Sequence, residues 1–504
     1  MSVPHPDDAG NPTFLVPQFN QLRELVRRSA AEARSLREFE TQLLADLVAL
    51  GARCVDELLR LQGDGDLGPV VNTDAGPMGR GEEPRPRPLR TLFGEHVFHG
   101  HVYGRDLSRN IDFRPIDVRL QIDGSKYSPR LQEISQLLCV EQSFEKAGAT
   151  LDAIFGRRLS VSALERVNRV MAAGAEEFLY EMAVPAPADE GEILVVSGDA
   201  KGVPMVREPA RAVPAFEKRG HPGNRRMATL AAVYSVDRYV RTPEQIVAAL
   251  FREEPEETPA KRPAPVGKAV VGHLTRLDDE GEPLPGDIQA FAWAAGQVEL
   301  RHRAGQPLVR LMDGQASLWE TATICLGEGP TVDILDIIHV STYVWTAAKV
   351  FHRHREQQEA FARDRLERIL RGEVGGVIKG MREQATKRTL SLSLSEEDAA
   401  EIERVCAYFG NNRHRMRYGE YLREGYPIAT GVIEGACRHL VADRMCRTGM
   451  RWELPGAQAM LHLRAIHQAG RADEFHADRA RRERDRTRSL RNLLKGYTPF
   501  TLCG

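Results

Sequence analysis

The stretch ILVVSGD, from Ile193 to Asp199, indicates the class of fold. It is a short apolar run bounded by chain breakers, which is typical of a buried strand, and it ends in an acid. The proline-rich segment VPAPADEGE directly precedes it, and the apolar runs MATLAAVYSV and KAVVGHLTRL follow as its expected neighbours. We therefore predict an α/β domain around this strand.

A second predicted strand ends in the same way. PLVRLMDGQ, from Pro307 to Gln315, carries Asp313 at its exit, and a small residue follows each of Asp199 and Asp313. Strand ends are where α/β sheets place the groups that bind ligands. As an alternative, both acids are turn residues, because S-G-D-A and M-D-G are ordinary turn sequences.

A third acid, Glu434, lies at the start of a predicted helix, TGVIEGACRHLVADRM, which Thr430 or Gly431 would cap. If Glu434 converges with Asp199 and Asp313, the hard oxygen ligands would hold two Mg²⁺ ions for an in-line phosphoryl transfer. The alternative for Glu434 is an ion pair with Arg438 on the surface of the helix.

Composition narrows the class of protein. With 504 residues, the chain has room for about three domains. Its 69 basic and 71 acidic residues give a net charge of −2, so a nucleic acid or a membrane would have to be met by local patches. Seven scattered cysteines without a C-x-x-C pair argue against a disulfide framework. No apolar run approaches the ~18 residues that span a bilayer. We expect a cytoplasmic protein with no membrane partner.

Five segments are predicted along the chain. They are an N-terminal helical region (1–61), a Gly/Pro-rich linker (62–90), a hairpin and helical region that would bind DNA (91–185), a catalytic domain (186–470) with a helical insertion at about 334–425, and a basic tail (471–504). The third segment contains a break between helices at Gly156, with Ser160 or Ser162 as the cap of the next helix. The tail would contact phosphates or form a solvated, frayed helix.

Four stretches together resemble the catalytic segments of bacterial insertion-sequence transposases of the ISKra type. They are VVSGDAKGVPM, RLMDGQASLW, DILDIIHVSTYVWTAAKVF and YPIATGVIEGACRHLVADRMCRTGMRW. The resemblance covers about Thr91 to His467. It is most specific in the last stretch, where the acid, the arginine and the G-M-x-W ending occur together.

This resemblance implies a DDE transposase with an RNase H-like catalytic domain, in which a mixed sheet carries a helical insertion and a mainly helical region precedes it. Asp199, Asp313 and Glu434 would be the catalytic triad and would bind two Mg²⁺ or Mn²⁺ ions. Asp336 and His339 match the D-x-x-H signature of related Mutator-like transposases, which implies a supporting role near the scissile phosphate. The alternative is a structural pair on one helix face, with His339 satisfied by a neighbour.

Further residues in these stretches are candidates for contact with DNA. Five basic side chains would clamp phosphates or would be ordinary solvated charges. Two tryptophans would stack on an unpaired base or would belong to the core. These residues are Lys201, Arg438, Arg444, Arg447, Arg451, Trp319 and Trp452.

The activity implied is DNA cleavage and strand transfer at the ends of an insertion sequence. The partners would be the terminal inverted repeats and target DNA, with a homodimer or higher oligomer holding two ends together. One alternative is a structure-selective nuclease of the same fold, which would cut without joining. Another is a non-enzymatic, domesticated DNA-binding protein, in which Asp313→Ala would leave all activity unchanged.

Overall fold

The computed structural model describes residues 16–206, 224–253, 261–278, 280–327 and 329–499. The chain divides into two compact units. The first comprises Met1–Gly174 and Ala472–Gly504, and the second comprises Ala175–Arg471. No helix among the described residues is both long and apolar enough to cross a membrane.

The described part of the chain contains both strands and helices. The strands are β1 (Val70–Thr73), β2 (Gly76–Arg80), β3 (Arg85–Arg90), β4 (Glu95–Gly100), β5 (Tyr103–Gly104), β6 (Ile193–Pro204), β7 (Arg225–Val236), β8 (Val266–Leu274), β9 (Arg276–Leu277), β10 (Pro283–Leu284), β11 (Leu308–Met312) and β12 (Thr331–Leu335). The α-helices are α1 (Val16–Ala31), α2 (Leu36–Arg60), α3 (Pro115–Leu120), α4 (Pro129–Glu141), α5 (Phe144–Phe155), α6 (Val161–Met171), α7 (Ala175–Glu181), α8 (Pro243–Leu250), α9 (Gly286–Arg301), α10 (Ala316–Leu326), α11 (Ile337–Phe351), α12 (Arg355–Leu370), α13 (Val374–Leu390), α14 (Glu396–Asn412), α15 (Tyr418–Arg423), α16 (Gly431–Ala436), α17 (Asp443–Met445), α18 (Leu454–Gln468), α19 (Ala472–Arg486) and α20 (Arg488–Asn492).

The second unit is built on a five-stranded mixed sheet with the strand order β12-β11-β6-β7-β8. Strands β6, β11 and β12 are parallel, whereas β7 is antiparallel to both β6 and β8. The residues from Ile193 to Gly198 are all buried, as expected for a strand that is covered on both faces. The predicted α/β class is therefore confirmed at this level, as a mixed α/β unit.

Alternate residues of β6 face opposite sides of this sheet. Ile193 and Val195 belong to the same core as helices α11 to α15. Gly198 faces the other side, where a Cβ atom would overlap the ring of Phe291 in α9, so only glycine fits there. By this alternation, Asp199 points to the side of the sheet that α11 to α15 cover.

Helices α11 to α15 form an insertion between β12 and α16. They occupy most of the predicted range 334–425, although its first two residues belong to β12. The chain returns to the sheet after α15, where the Ile337 N–H donates a hydrogen bond to the Ile428 carbonyl at 2.9 Å. The Tyr418 hydroxyl donates to the Leu335 carbonyl at 2.7 Å. The insertion is thus anchored at the end of β12.

The predicted linker at 62–90 is wrong, because β1, β2 and β3 lie within it. The predicted hairpin accordingly begins earlier, at Arg85, where β3 pairs with β4. Both strands of a two-stranded sheet are edges, and an edge strand tolerates proline, which has no N–H to donate. Pro86 and Pro88 are therefore compatible with β3. Between them, the buried Arg87 donates to the Asp117 carboxylate at 2.9 Å.

The predicted break between two helices is confirmed in the first unit. Gly156 ends α5 with a φ of 62°, and the Ser160 hydroxyl accepts a hydrogen bond from the Ala163 N–H at 3.3 Å, which caps α6. The C-terminal tail is helical and docked in the same unit. Arg479 donates hydrogen bonds to the carbonyls of Val170, Met171 and Ala173, so the tail is not a frayed helix.

Candidate active site

Three aspartates stand side by side at one edge of the five-stranded sheet. In the pairing of β11 with β6, Arg310 lies opposite Val196, and in the pairing of β11 with β12, Met312 lies opposite Leu335. Continuing both registers by a few residues places Asp313 level with Asp199 on one side and with Asp336 on the other. Residues in register on parallel strands share a face, so the three carboxylates face the same side.

Asp336 is fully buried and forms hydrogen bonds with two other segments of the site. It caps the N-terminus of α11, where its Oδ2 accepts a hydrogen bond from the His339 N–H at 3.1 Å. The same oxygen lies 2.7 Å from His339 Nδ1, which orients the imidazole. The other oxygen, Oδ1, accepts from the Thr430 N–H at 3.0 Å. Asp336 thus joins β12, α11 and the start of α16.

Glu434 belongs to the same cluster, although it follows the helical insertion in sequence. It lies in α16, as predicted, and its Oε1 accepts a hydrogen bond from the Thr430 hydroxyl at 3.2 Å. The predicted cap, Thr430, therefore bonds to a side chain of the helix and not to its backbone. One potential ligand atom each from Asp336, His339 and Glu434 lies within 4.8 Å of the others.

The helix that carries Glu434 is irregular. After α16, the backbone is π-helical from Cys437 to Ala442 and then continues as α17. Such π-helical turns occur frequently at functional sites. Arg438, the alternative partner of Glu434, lies 3.6 Å from Asp443.

The charges of the cluster act on one another. Burial raises the pKa of Asp313, and the carboxylates of Asp199 and Asp336 raise it further, while the Gln315 N–H and His339 oppose the shift. The hydrogen bond to Asp336 raises the pKa of His339, and the charges of Asp313 and Glu434 act in the same direction. Asp199, Asp313, Asp336, His339 and Glu434 therefore form one electrostatic cluster, in which crowded negative charge favours a bound cation.

The donor set fits a hard or borderline divalent cation, because it consists of four carboxylates and one imidazole. His339 Nδ1 faces the Asp336 carboxylate, an arrangement that commonly orients a histidine whose other ring nitrogen binds a metal. Asp199 and Asp313 lie outside the 4.8 Å group that Asp336, His339 and Glu434 form. Asp336 and His339, to which the sequence assigned a supporting role, therefore form the tighter group of potential ligands together with Glu434.

Three positioning groups at the site were not predicted. The Trp319 indole N–H donates to the Asp313 carbonyl at 2.6 Å and fixes the backbone at the end of β11. Tyr408 of α14 packs so closely on Gly314 that a Cβ atom there would overlap its ring. Burial raises the pKa of the Cys437 thiol, and the charge of the nearby Asp199 carboxylate raises it further. Tyr408 comes from the insertion, nearly 100 residues from Gly314 in sequence, so no local pattern could identify it.

The predicted stacking role of the two tryptophans does not fit the structure. Trp319 and Trp452 are buried, with 2% and 6% of their surface exposed, so a base cannot reach either ring. The Trp452 indole donates to the Met445 carbonyl at 3.0 Å. Both tryptophans belong to the core, which was the alternative prediction.

The predicted phosphate clamp is also corrected at one position. Arg444 is fully buried, lies over the Trp452 ring at 5.1 Å and is 3.4 Å from the Met450 sulfur, so it cannot contact DNA. The other predicted basic residues are exposed, and some of them also contact neighbouring groups. They are Lys201, Arg438, Arg447 and Arg451.

A second group of potential metal ligands lies elsewhere in the second unit, at Glu176, His273 and His462. Burial lowers the pKa of His273 and of His462 to about 3, so both imidazoles are neutral. His462 Nε2 lies 2.7 Å from Gln458 Nε2, which also donates to the Gly272 carbonyl. The ring nitrogen therefore accepts a hydrogen bond, and the proton of His462 sits on Nδ1. This tautomer leaves no lone pair on His462 for a metal.

Known proteins give only a weak match to this chain. No family model matches the chain, and no curated protein matches it. Among solved structures, it is similar to a chain of the "Drosophila P element transposase strand transfer complex", with 9% identity and a TM-score of 0.24. That alignment covers 70% of this chain and 83% of the other. A similarity of this size assigns neither a family nor a function.

Proposed function

We propose that this protein is a DNA transposase that binds the ends of an insertion sequence and performs metal-dependent strand cleavage and strand transfer. The observation that carries the proposal is the register of Asp199, Asp313 and Asp336 on three adjacent strands, with His339 and Glu434 in the same cluster. Crowded carboxylates at the same level of adjacent strands suit the binding of divalent cations for phosphoryl transfer.

The fold proposed for the second unit is RNase H-like. Its support is the topology of the sheet, in which three antiparallel strands, β6 to β8, continue into two strands, β11 and β12, that run parallel to β6. A second support is the position of the acids, with Asp199 on the central strand β6 and with Asp313 and Asp336 directly after β11 and β12. We further propose that α11 to α15 are the helical insertion before the glutamate of a DDE triad.

The proposed catalytic residues are Asp199, Asp313 and Glu434, which would hold two Mg²⁺ or Mn²⁺ ions. Bound there, the ions would activate a water or a DNA 3′-hydroxyl and stabilise the leaving oxygen. Asp336 would position His339 and, through Thr430, the helix that carries Glu434. His339 would lie near the scissile phosphate, and the hydrogen bond of Nδ1 to Asp336 leaves Nε2 as the ring nitrogen that would face it.

DNA is the proposed partner of this site. The exposed basic residues Lys201, Arg438, Arg447 and Arg451 would contact phosphates of the terminal repeats and of target DNA. We also propose that two or more copies of the chain act together, because two ends of one element must be held for transfer.

The test is an assay that measures cutting and joining separately. Purified protein would be incubated with Mg²⁺ and a supercoiled plasmid that carries the genomic DNA flanking the coding sequence. We expect both cut and joined products, and we expect neither from Asp313→Ala. Cutting without joining would favour a nuclease, while equal products from Asp313→Ala and the unmodified protein would reject both enzymes.

A further inference from the structure

A cavity of about 640 Å³ lies in the second unit and is lined by residues of α8, α13, α15 and the turns next to them. None of the acidic cluster residues lines it. Its lining is rich in arginine and has a single acid among the described residues. The charged residues that line the cavity are Arg241, Arg371, Arg413, Arg417, Arg423 and Glu420.

Two of the five arginines are neutralised by acids. Arg371 lies 2.9 Å from Glu244 and 2.5 Å from Glu367, and Arg417 lies 3.1 Å from Glu420. Arg413 and Arg423 are exposed, and neither has a carboxylate within 4.0 Å in the part of the chain that the structure describes. Arg423 Nε donates a hydrogen bond to the Gly419 carbonyl, which is a neutral acceptor.

Arg241 adds a partly buried positive charge to the wall of the cavity. Its guanidinium donates to the carbonyls of Tyr239 and Tyr426, both of which are neutral acceptors. Burial, together with the charge of Arg262, lowers the pKa of Arg241 to about 10. An anion in the cavity would therefore offset charge that the protein leaves uncompensated.

The lining residues indicate which anion fits. A planar guanidinium offers paired N–H donors that match two oxygens of a phosphate group. Gly372 also lines the cavity, and a Cβ atom there would meet nothing within 4 Å, so its backbone is open to close approach. No aromatic side chain is among the lining residues that the structure describes, so a base has no ring to stack on. The chemistry favours phosphates over a nucleobase.

We propose that this arginine cavity binds backbone phosphates of the DNA on which the protein acts, away from the reacting phosphodiester. The inference rests on the proposed function, since it takes DNA as the partner. The bound phosphates would dock a part of the DNA duplex on the helical insertion, while the acidic cluster handles the reacting strand.

The test compares two double variants of equal charge. Arg413→Gln/Arg423→Gln removes the two arginines that have no acidic partner. Lys379→Gln/Arg404→Gln is the control, since these exposed side chains of α13 and α14 lie outside the cavity and pair with Glu383 and Glu401. The affinity of each protein for a duplex of about 30 base pairs would be measured by fluorescence anisotropy in EDTA, between about 50 and 250 mM salt. Binding of inorganic tripolyphosphate would be measured by calorimetry.

We expect the cavity variant to bind the duplex about tenfold more weakly. The logarithm of its binding constant should also fall less steeply with the logarithm of the salt concentration, by about two units of slope, one for each phosphate contact. The control should stay within about twofold of the unmodified protein. Urea unfolding should show that both variants are folded, because all four side chains are exposed.

Equal duplex affinity of the cavity variant and the control overturns the proposal. If only tripolyphosphate binding is lost, the cavity takes a free phosphate compound, and the assignment to DNA is overturned. These outcomes are separate from the proposed function. Metal-dependent cleavage with unchanged duplex binding by the cavity variant would reject the cavity alone, whereas duplex binding through Arg413 and Arg423 without any cleavage would reject the transposase alone.

Discussion

Asp336 and Thr430 are 94 residues apart in sequence, and they are joined by a hydrogen bond in which the Thr430 N–H donates to Asp336 Oδ1 at 3.0 Å. The five helices of the insertion lie between them. The bond sets the start of the helix that carries Glu434 against the end of β12, next to the aspartates of the sheet. A buried carboxylate that accepts two backbone N–H groups is therefore a structural centre of the site as well as a candidate for its chemistry.

Replacing Asp336 tests this structural role. In Asp336→Ala, the N–H groups of Thr430 and His339 lose their acceptor, and each unsatisfied buried donor costs about 1–3 kcal/mol. We expect a clear fall in the free energy of unfolding, measured with urea. Asp336→Asn keeps an oxygen for Thr430 and should be the more stable of the two. Equal stability of both variants and the unmodified protein would show that this bond does not support the fold.

Trp319 should act on the reaction rate and not on DNA affinity. Its indole N–H donates to the Asp313 carbonyl, so Trp319→Phe removes this bond while it keeps an aromatic ring in the core. We expect DNA cleavage to slow by roughly tenfold, the effect of about 1.4 kcal/mol of lost positioning. The dissociation constant for DNA should not change. A weaker affinity at an unchanged cleavage rate would instead support base stacking by Trp319.

Arg444 and Arg451 should behave differently, although both belong to the stretch that the sequence assigned to phosphate contact. Arg444→Gln disturbs a fully buried side chain, so we expect lower stability in urea. Arg451 is exposed, so Arg451→Gln should keep its stability and weaken DNA binding, with a salt slope lower by about one unit. The opposite pattern would place Arg444 at the DNA.

The buried imidazoles of His273 and His462 predict a loss of stability in acid. Burial holds the pKa of each at about 3, below the usual value of 6.5. Below pH 6.5, the unfolded chain binds protons that the folded chain does not, so the free energy of unfolding falls as the pH drops towards 3. His462→Gln keeps an acceptor for Gln458 and removes one such group. Urea unfolding at about pH 7 and pH 5 should show a smaller loss in this variant than in the unmodified protein, and an equal loss would contradict the account.

The sequence predicted the parts of the site that local pattern reveals. The apolar runs before Asp199 and Asp313 are strands, and Glu434 lies on the helix that its pattern indicated. Asp199 does not end its strand as predicted, because β6 continues to Pro204 in its pairing with β7. Register between strands is a long-range property, so the alignment of Asp336 with Asp313 could not be read from spacing. The central role of Asp336 depends on Thr430, which a sequence pattern cannot place beside it.

Predictions from composition were wrong where packing between distant segments determines the structure. The linker was predicted from its glycines and prolines, yet Pro86 and Pro88 lie in an edge strand, where a missing N–H costs little. Trp319, Arg444 and Trp452 lie in the stretches whose resemblance to transposases suggested DNA contact. Their burial follows from packing between distant segments, such as the pairing of Met205 with Trp452.

The most direct test of the account is the rate of Mg²⁺-dependent cleavage and joining by three single variants, Asp199→Asn, Asp313→Asn and Glu434→Gln. The control is Glu299→Gln, on the exposed face of α9, which covers the opposite side of the sheet. Metal ions in such sites contribute several kcal/mol, so each of the three variants should lose roughly a thousandfold or more of the rate. The control should keep the rate of the unmodified protein. If Asp313→Asn cleaves and joins DNA as fast as the control, the acidic cluster is not the catalytic site.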